Sequence, residues 1–305
     1  MNSFSSPSAP TERALVLGGG GATGNAWLIG VIAGLADAGV DISAPDLTVG
    51  TSAGSTAAVQ LSLADPAELY AAALTPPPPR GPAPAGPATG GLDRPAPVGR
   101  PAGGLDRVLS LIAASTDMDD YRRRMSASGL ELDAEDDGSR SERWRAVAAS
   151  RLPGAVWPER HLLITAVDAR TAEGVVFDRD SGVDVVDAVG ASTSSAHPLR
   201  IGDARYLDGG YRINAENADL ATGYARVLVL SPFNGRSLAP ASWGTHLAAQ
   251  VDALRASGSR VEVIGPESEA LHGANATDPT LRSAAARAGF ARGRAYAPVV
   301  AALWA

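Results

Sequence analysis

A serine inside a short glycine-flanked run is the first residue of this chain whose setting suggests chemistry. The segment from Gly50 to Gly54 reads Gly-Thr-Ser-Ala-Gly, which is the Gly-x-Ser-x-Gly pattern centred on Ser52. The pattern places a serine on a strained turn between a strand and a helix, where side chains at the two glycines would collide with neighbouring backbone. The helix N-terminus that follows favours a developing negative charge. The pattern predicts Ser52 as a nucleophile; the plainer interpretation is a glycine-rich turn with a solvated serine.

Four consecutive glycines, starting at Gly18, precede a helical segment near the beginning of the chain. Glycines allow backbone N–H groups to point into a cavity at the start of a helix. Donors of this kind stabilise the oxyanion of a tetrahedral intermediate, and one donor contributes about 10²–10³ in rate. The run therefore predicts an oxyanion hole formed by Gly19, Gly20 and Gly21.

The same run also fits the dinucleotide-binding pattern Gly-x-Gly-x-x-Gly, through Gly19, Gly21 and Gly24. Such a site needs an acidic residue at the end of the second strand to bind a ribose. Here Asp41 and Asp46 come before that strand, and no acidic residue directly follows it. A nucleotide-dependent oxidoreductase is therefore the weaker interpretation.

An aspartate followed by two glycines, Asp208-Gly209-Gly210, comes after a short strand-like segment. Gly209 and Gly210 carry no side chains that would shield the carboxylate, so a second reacting group can approach it closely. By itself the pair Asp-Gly is a common signal for a β-turn. On sequence alone, Asp208 is either a turn residue or a general base.

The chain has four histidines, and two of them come after Asp208. In the chain order of α/β-hydrolases, His246 or His272 could complete a Ser-His-Asp triad. Neither lies in a recognisable motif. His161 begins a predicted strand and His197 precedes a proline. We therefore expect each histidine to be a surface or loop residue, and keep the triad as an alternative.

The elements that must position these residues follow an alternating pattern in the first 64 residues. Residues 14–17 and 47–49 are short apolar runs typical of buried strands. Residues 25–38 and 53–63 have helical spacing of apolar or small residues, and Gly39 is a suitable C-cap for the first. Strand–helix–strand–helix order predicts a parallel sheet with helices on its faces.

Further elements are predicted along the rest of the chain. Residues 106–150 look helical and polar. We predict strands at residues 162–167, 227–230 and 261–264, and a hairpin partner of the first at residues 175–177. We predict helices at residues 184–191 and 282–304. The whole pattern predicts an α/β protein with a central, mostly parallel sheet.

The domain organisation follows from composition. Residues 1–12 are polar and rich in Ser and Pro, which predicts a disordered tail. Residues 76–104 are dominated by Pro and Gly, so we expect a mobile insertion that contributes no core. Because strand signals resume after it, residues 13–305 are predicted to form a single domain.

Composition and charge exclude several classes of function. The net charge is −7, whereas nucleic-acid-binding proteins usually present a basic surface, so we expect no nucleic-acid partner. The chain has no Cys, which removes disulfides, thiolate chemistry and Cys-based zinc sites. The first residues do not have the form of a signal peptide, and no run of 18 apolar residues occurs. A cytoplasmic location is the expectation.

The three glycine-containing motifs occur in an order that resembles the patatin-like phospholipase family. The similarity runs from residue 13 to about residue 232, apart from the insertion, and includes the strand around residues 164–168. The resemblance implies a three-layer α/β/α fold and hydrolysis of lipid acyl esters without a metal or cofactor. It also implies a Ser–Asp dyad without histidine, which assigns Ser52 as the nucleophile and Asp208 as the base. Gly19, Gly20 and Gly21 match the oxyanion loop of the family.

Two features depart from the family pattern. The family loop commonly has Arg or Lys where this chain has Thr23, which removes a positive charge near the oxyanion. The segment at residues 192–200 is more polar than the corresponding family loop, which indicates a changed substrate pocket. These departures support an alternative: a lipid-binding or regulatory protein on the same fold without efficient turnover.

The predicted terminal helix carries positive charge on an otherwise acidic chain. After Asp278 its charged side chains are all arginines, namely Arg282, Arg287, Arg292 and Arg294. Arginine near an anionic bilayer contributes on the order of 1 kcal/mol per residue, screened by salt. Phe290, Tyr296 and Trp304 could act as interfacial anchors or face the core. The pattern predicts either a solvated helix face or weak, salt-sensitive peripheral contact with anionic membranes.

Overall fold

The computed structural model describes residues 12–75, 103–268 and 275–305. The predicted tail lies outside these ranges except for Glu12. The predicted insertion also lies outside them, except for Gly103 and Gly104, which begin a helix. The strands are β1 (Arg13–Leu17), β2 (Leu47–Gly50), β3 (His161–Asp168), β4 (Glu173–Phe177), β5 (Leu199–Ile201), β6 (Ala204–Asp208), β7 (Arg226–Leu230) and β8 (Arg260–Ile264).

The helices lie between and after these strands, and five of them, α2 to α6, separate β2 from β3. They are α1 (Gly21–Asp37), α2 (Ala53–Leu63), α3 (Pro66–Leu74), α4 (Gly103–Ala113), α5 (Met118–Ala134), α6 (Ser139–Arg151), α7 (Val185–Ser192), α8 (Leu247–Ala256) and α9 (Arg282–Trp304). The predicted terminal helix coincides with α9, and the polar helical region corresponds to α4, α5 and α6. The first predicted helix begins four residues earlier than expected, at Gly21, because Gly20 is its N-cap.

The strands form one sheet in the order β5-β6-β3-β2-β1-β7-β8, with β4 paired to β3. Neighbours from β3 through β2, β1 and β7 to β8 are parallel. The pairs β3–β4, β3–β6 and β5–β6 are antiparallel. The expected α/β architecture with a central, mostly parallel sheet is therefore confirmed.

Side chains on opposite sides of the same strands enter two separate apolar layers. On β1, Leu15 and Leu17 pack with helices that include α1, α2, α7 and α9. The alternate residues Ala14 and Val16 pack with α8 on the other face. Because both faces of the sheet are covered, these strands are continuously apolar rather than alternating.

Helices α1 and α9 pack with their backbones in close contact. A Cβ atom on Gly30 or Gly34 of α1 would overlap a backbone carbonyl of α9. Likewise, a Cβ on Gly289 or Gly293 of α9 would overlap a carbonyl of α1. Four glycines at the contact therefore set the distance between the helix that follows the glycine run and the terminal helix.

The register of the sheet brings the ends of β2 and β6 to either side of β3. Gly50, the last residue of β2, pairs with Ile164. Asp208, the last residue of β6, pairs with Ala166, two positions further along β3. In addition, Gly50 pairs with Leu17 at the end of β1, where the glycine run begins. The loops after β1, β2 and β6 therefore meet at one edge of the sheet.

Candidate active site

Ser52 lies on a strained turn between β2 and α2. Its backbone has φ 51° and ψ −117°, a conformation that non-glycine residues rarely adopt, and it is the N-cap residue of α2. A Cβ on Gly50 would approach the backbone of Ser55, and a Cβ on Gly54 would overlap the carbonyl of Leu17. The two flanking glycines are therefore required by close backbone contacts, as the motif predicts.

The hydroxyl of Ser52 meets the carboxylate of Asp208 directly. Ser52 Oγ donates a hydrogen bond to Asp208 Oδ2 over 3.0 Å. The second carboxylate oxygen, Oδ1, accepts from the backbone N–H of Gly210 at 2.9 Å. Both side chains are half-buried. The carboxylate is thus fixed by its own loop, with one oxygen directed at the serine.

The glycine after Asp208 is required for close packing. A Cβ on Gly209 would overlap the side chain and carbonyl of Thr165 on β3. This contact keeps the Asp208 loop against the sheet next to the turn that carries Ser52. Neither Gly209 nor Gly210 adds a side chain that could block the approach to the dyad.

The glycine loop differs in part from the expected oxyanion hole. The N–H of Gly19 donates to the carbonyl of Ala215 at 2.8 Å, so it is not free to donate to an oxyanion. Gly19 instead allows close approach, because a Cβ there would lie 3.3 Å from the Cβ of Ser52. Within the described ranges, the N–H groups of Gly20 and Gly21 donate to no backbone or side-chain acceptor. These two groups remain the candidate donors.

Thr23 contributes to packing. It is fully buried, and both its N–H and its hydroxyl donate to the carbonyl of Ala276, at 3.1 and 3.2 Å. Gly21 has φ +62°, and a Cβ atom on it would overlap the same carbonyl of Ala276. Thr23, at the position where patatin-like proteins commonly have a basic residue, therefore links the start of α1 to the chain before α9.

Ser192, the first residue of the polar segment, contacts the turn of Ser52. The backbone N–H of Ser52 donates to Ser192 Oγ at 2.9 Å, and Ser192, the last residue of α7, is fully buried. The polar segment that begins at Ser192 therefore includes a contact to the nucleophile turn. The available signal was a serine at the end of an otherwise apolar helix.

A buried carboxyl group lies next to the glycine loop. Glu216 is 1 % exposed and accepts a hydrogen bond from Ser231 Oγ at 2.6 Å. A Cβ on Gly18 would lie 3.3 Å from the side chain of Glu216. Burial raises the pKa of Glu216 from 4.5 to about 7, and the Ser231 hydrogen bond opposes that rise. No motif in the sequence indicates Glu216 as a residue of the site.

Two histidines of the described chain lie next to backbone carbonyl groups. His246 Nε2 is 2.8 Å from the carbonyl oxygen of Ala239, and His197 Nδ1 is 3.4 Å from that of Pro198. Burial lowers the pKa of His197, which favours a neutral ring. In the parts of the chain that the structure describes, no histidine bonds to Ser52 or Asp208, and His272 lies outside them. The direct Ser–Asp contact fits a dyad, and of the two triad candidates His246 lies against a backbone carbonyl instead.

The described residues contain neither a candidate metal centre nor a membrane-spanning helix. In these ranges, no group of three or more His, Asp or Glu side chains is placed to hold a metal ion. None of the helices they contain is long and apolar enough to cross a membrane. On α9, Arg292 pairs with Glu267 and Arg294 pairs with Asp37, each at 2.6 Å.

Comparisons with known proteins assign no family to this chain. No family model matches the chain, and no curated protein matches it. Among solved structures, the crystal structure of VipD from Legionella pneumophila is similar, with a TM-score of 0.44 and 14% sequence identity. The match covers 96% of this chain and 68% of that chain. A likeness of this degree carries no functional information.

Proposed function

We propose that this chain is a serine acyl hydrolase of the patatin-like kind, which cleaves lipid acyl esters with Ser52 as nucleophile and Asp208 as general base. The observation that carries the proposal is the 3.0 Å hydrogen bond from Ser52 Oγ to Asp208 Oδ2 on a strained strand-to-helix turn. A nucleophile and a base within hydrogen-bond distance are the minimum that covalent acyl transfer needs.

The reaction follows from these positions. Asp208 accepts the hydroxyl proton as Ser52 Oγ attacks the ester carbonyl, and the N–H groups of Gly20 and Gly21 together with the N-terminus of α2 stabilise the oxyanion. Collapse of the intermediate transfers the proton to the alcohol, which leaves with the C–O bond electrons. Water, deprotonated by Asp208, then attacks the acyl-enzyme. As the second intermediate collapses, the C–Oγ bond breaks, Asp208 returns the proton to Ser52 Oγ, and the carboxylic acid is released.

Apolar side chains next to Asp208 suit an acyl substrate. Leu207 belongs to a buried cluster with Tyr121 and Met125, and Tyr211 and Trp243 pack against it. The ring centroid of Tyr121 is 6.2 Å from that of Tyr211 and 6.0 Å from that of Trp243. Tyr211 and Trp243 are half-buried, so an acyl chain that approaches Ser52 from this side would exchange water for contacts with these two rings.

The direct test combines probe labelling with hydrolysis of p-nitrophenyl esters and phospholipids. Wild type should react with a fluorophosphonate and hydrolyse esters, and Ser52→Ala should do neither. Ser62→Ala is the matched control, because Ser62 is an exposed serine on the same helix as the nucleophile turn. Equal labelling of wild type and Ser52→Ala would refute the assignment.

A lipid-binding or regulatory protein without turnover is the second candidate. It is favoured by the engaged N–H of Gly19 and by the uncharged Thr23, which together reduce stabilisation of an oxyanion. The same probe separates the two, because an activated serine reacts readily and an unactivated one does not. A nucleotide-dependent oxidoreductase would instead change NAD(P)H fluorescence on mixing.

A further inference from the structure

We propose that Asn217 is a positioning residue that sets the separation between Ser52 and Asp208. The proposal rests on the proposed function, since it assigns a role at the same dyad. Asn217 is fully buried and follows the Asp208 loop by nine positions. It is not one of the residues that the sequence motifs indicate.

The side-chain amide of Asn217 contacts the neighbours of both dyad residues. Asn217 Nδ2 donates to Thr51 Oγ1 at 3.0 Å and to the carbonyl of Gly209 at 3.0 Å. Thr51 directly precedes Ser52, and Gly209 directly follows Asp208. One amide group therefore joins the turn that carries the nucleophile to the loop that carries the base.

The orientation of this amide is fixed from its other side. Asn217 Oδ1 accepts from Arg212 Nη1 at 3.1 Å, and Arg212 forms two further hydrogen bonds to the carboxylate of Asp219, at 3.0 and 2.9 Å. A flipped amide would turn its NH₂ group toward the guanidinium and its oxygen toward the carbonyl of Gly209. Both arrangements are unfavourable, so the donors stay directed at the two loops.

The backbone around Asn217 is also constrained. Asn217 is in the left-handed region, with φ 54° and ψ 43°, and its N–H donates to Asn214 Oδ1 at 2.7 Å. Two residues before Asn217, the carbonyl of Ala215 accepts a hydrogen bond from the N–H of Gly19. The segment at residues 214–217 therefore contacts the glycine loop, the nucleophile turn and the Asp208 loop together. Loss of the Asn217 side chain should increase the distance between Ser52 and Asp208 while the apolar core stays packed.

Two substitutions test the amide in different ways. Asn217→Gly tolerates the positive φ but has no side-chain donors. Asn217→Asp retains the size and tolerates the same backbone but cannot donate to Gly209 when ionised. Asn234→Gly is the matched control, because Asn234 has φ 53° and is not part of the dyad network.

We expect kcat for ester hydrolysis to fall by about 100-fold in both Asn217 variants, with KM within about threefold of wild type, because a displacement near 1 Å has this effect on a reacting pair. Asn217→Gly should melt at a lower temperature than Asn234→Gly, because it removes a buried, hydrogen-bonded side chain whereas Asn234 is exposed. Both variants should be folded at the assay temperature, and Asn234→Gly should keep wild-type kcat. A kcat within a few-fold of wild type in Asn217→Gly, or an equal loss in the control, would overturn the proposal.

Crystal structures of wild type and Asn217→Gly give a readout that does not depend on activity. The separation of Ser52 Oγ and Asp208, 3.0 Å in the wild-type chain, should exceed hydrogen-bond distance in the variant. An unchanged separation would overturn the positioning role. If Ser52→Ala were to leave hydrolysis intact, the proposed function would fail while this measurement would still decide the role of Asn217.

Discussion

The buried carboxyl of Glu216 should make this protein less stable as the pH rises. Burial raises its pKa from 4.5 to about 7 in the folded chain. The folded state therefore binds the proton more tightly than the unfolded state. The resulting stabilisation is fully present below pH 4.5 and is lost as the pH rises through about 7. A rise of this size corresponds to about 3 kcal/mol.

The substitution Glu216→Gln removes the titration and keeps the shape, and its side-chain oxygen can still accept from Ser231. Urea unfolding of both proteins should give similar free energies of unfolding at pH 5. By pH 8.5 the variant should be more stable than wild type by about 2–3 kcal/mol, because wild type must then bury a charge. Glu142→Gln, on the exposed surface of α6, is the matched control, because it makes the same substitution outside the core. Parallel stability curves for wild type and Glu216→Gln would refute this reasoning.

The remaining predictions concern the dyad, the histidines and the terminal helix. Ser52→Ala and Asp208→Asn should each abolish ester hydrolysis, and the double variant should be little worse than either; more than a tenth of wild-type activity in Asp208→Asn would exclude the dyad. His246→Gln should keep the rate within a few-fold in a pH-controlled esterase assay, and a collapse would revive the triad. Two of the four arginines of α9, Arg282 and Arg287, form no ion pair with described residues, so we expect weak, salt-sensitive co-sedimentation with anionic vesicles; equal pelleting with neutral vesicles would contradict it.

Local patterns in the sequence were sufficient to predict most elements that position the candidate site. Short apolar runs bounded by glycine become the buried strands, since both faces of the sheet are covered. The strain at Ser52 and the contacts of Gly50 and Gly54 follow the motif directly, because they depend on neighbouring backbone. No local pattern predicts that Ser52 and Asp208 lie close together. Their proximity is implied by the family resemblance and is produced by the pairing of β2 and β6 with β3.

Long-range contacts explain what the sequence could not predict. Helix α3 has a recognisable start, since Asp65 and Glu68 form a capping box around Pro66, but its burial depends on α1 and α9. Ser192 and Asn217 bond to partners 140 and 166 residues away in the sequence, and no local pattern predicts these contacts. Whether a buried amide is a core residue or a positioning residue depends on those partners.

The close packing of α1 against α9 affects the order in which the candidate site folds during synthesis. Thr23, two residues into the helix that follows the glycine loop, bonds to a carbonyl 253 positions later. During synthesis, the first helix therefore remains without its partner until nearly all of the described chain has left the ribosome. Contacts of such sequence separation form late and slow the folding of a chain. We expect the nascent protein to acquire a closed glycine loop, and with it any hydrolytic capacity, only after α9 has docked.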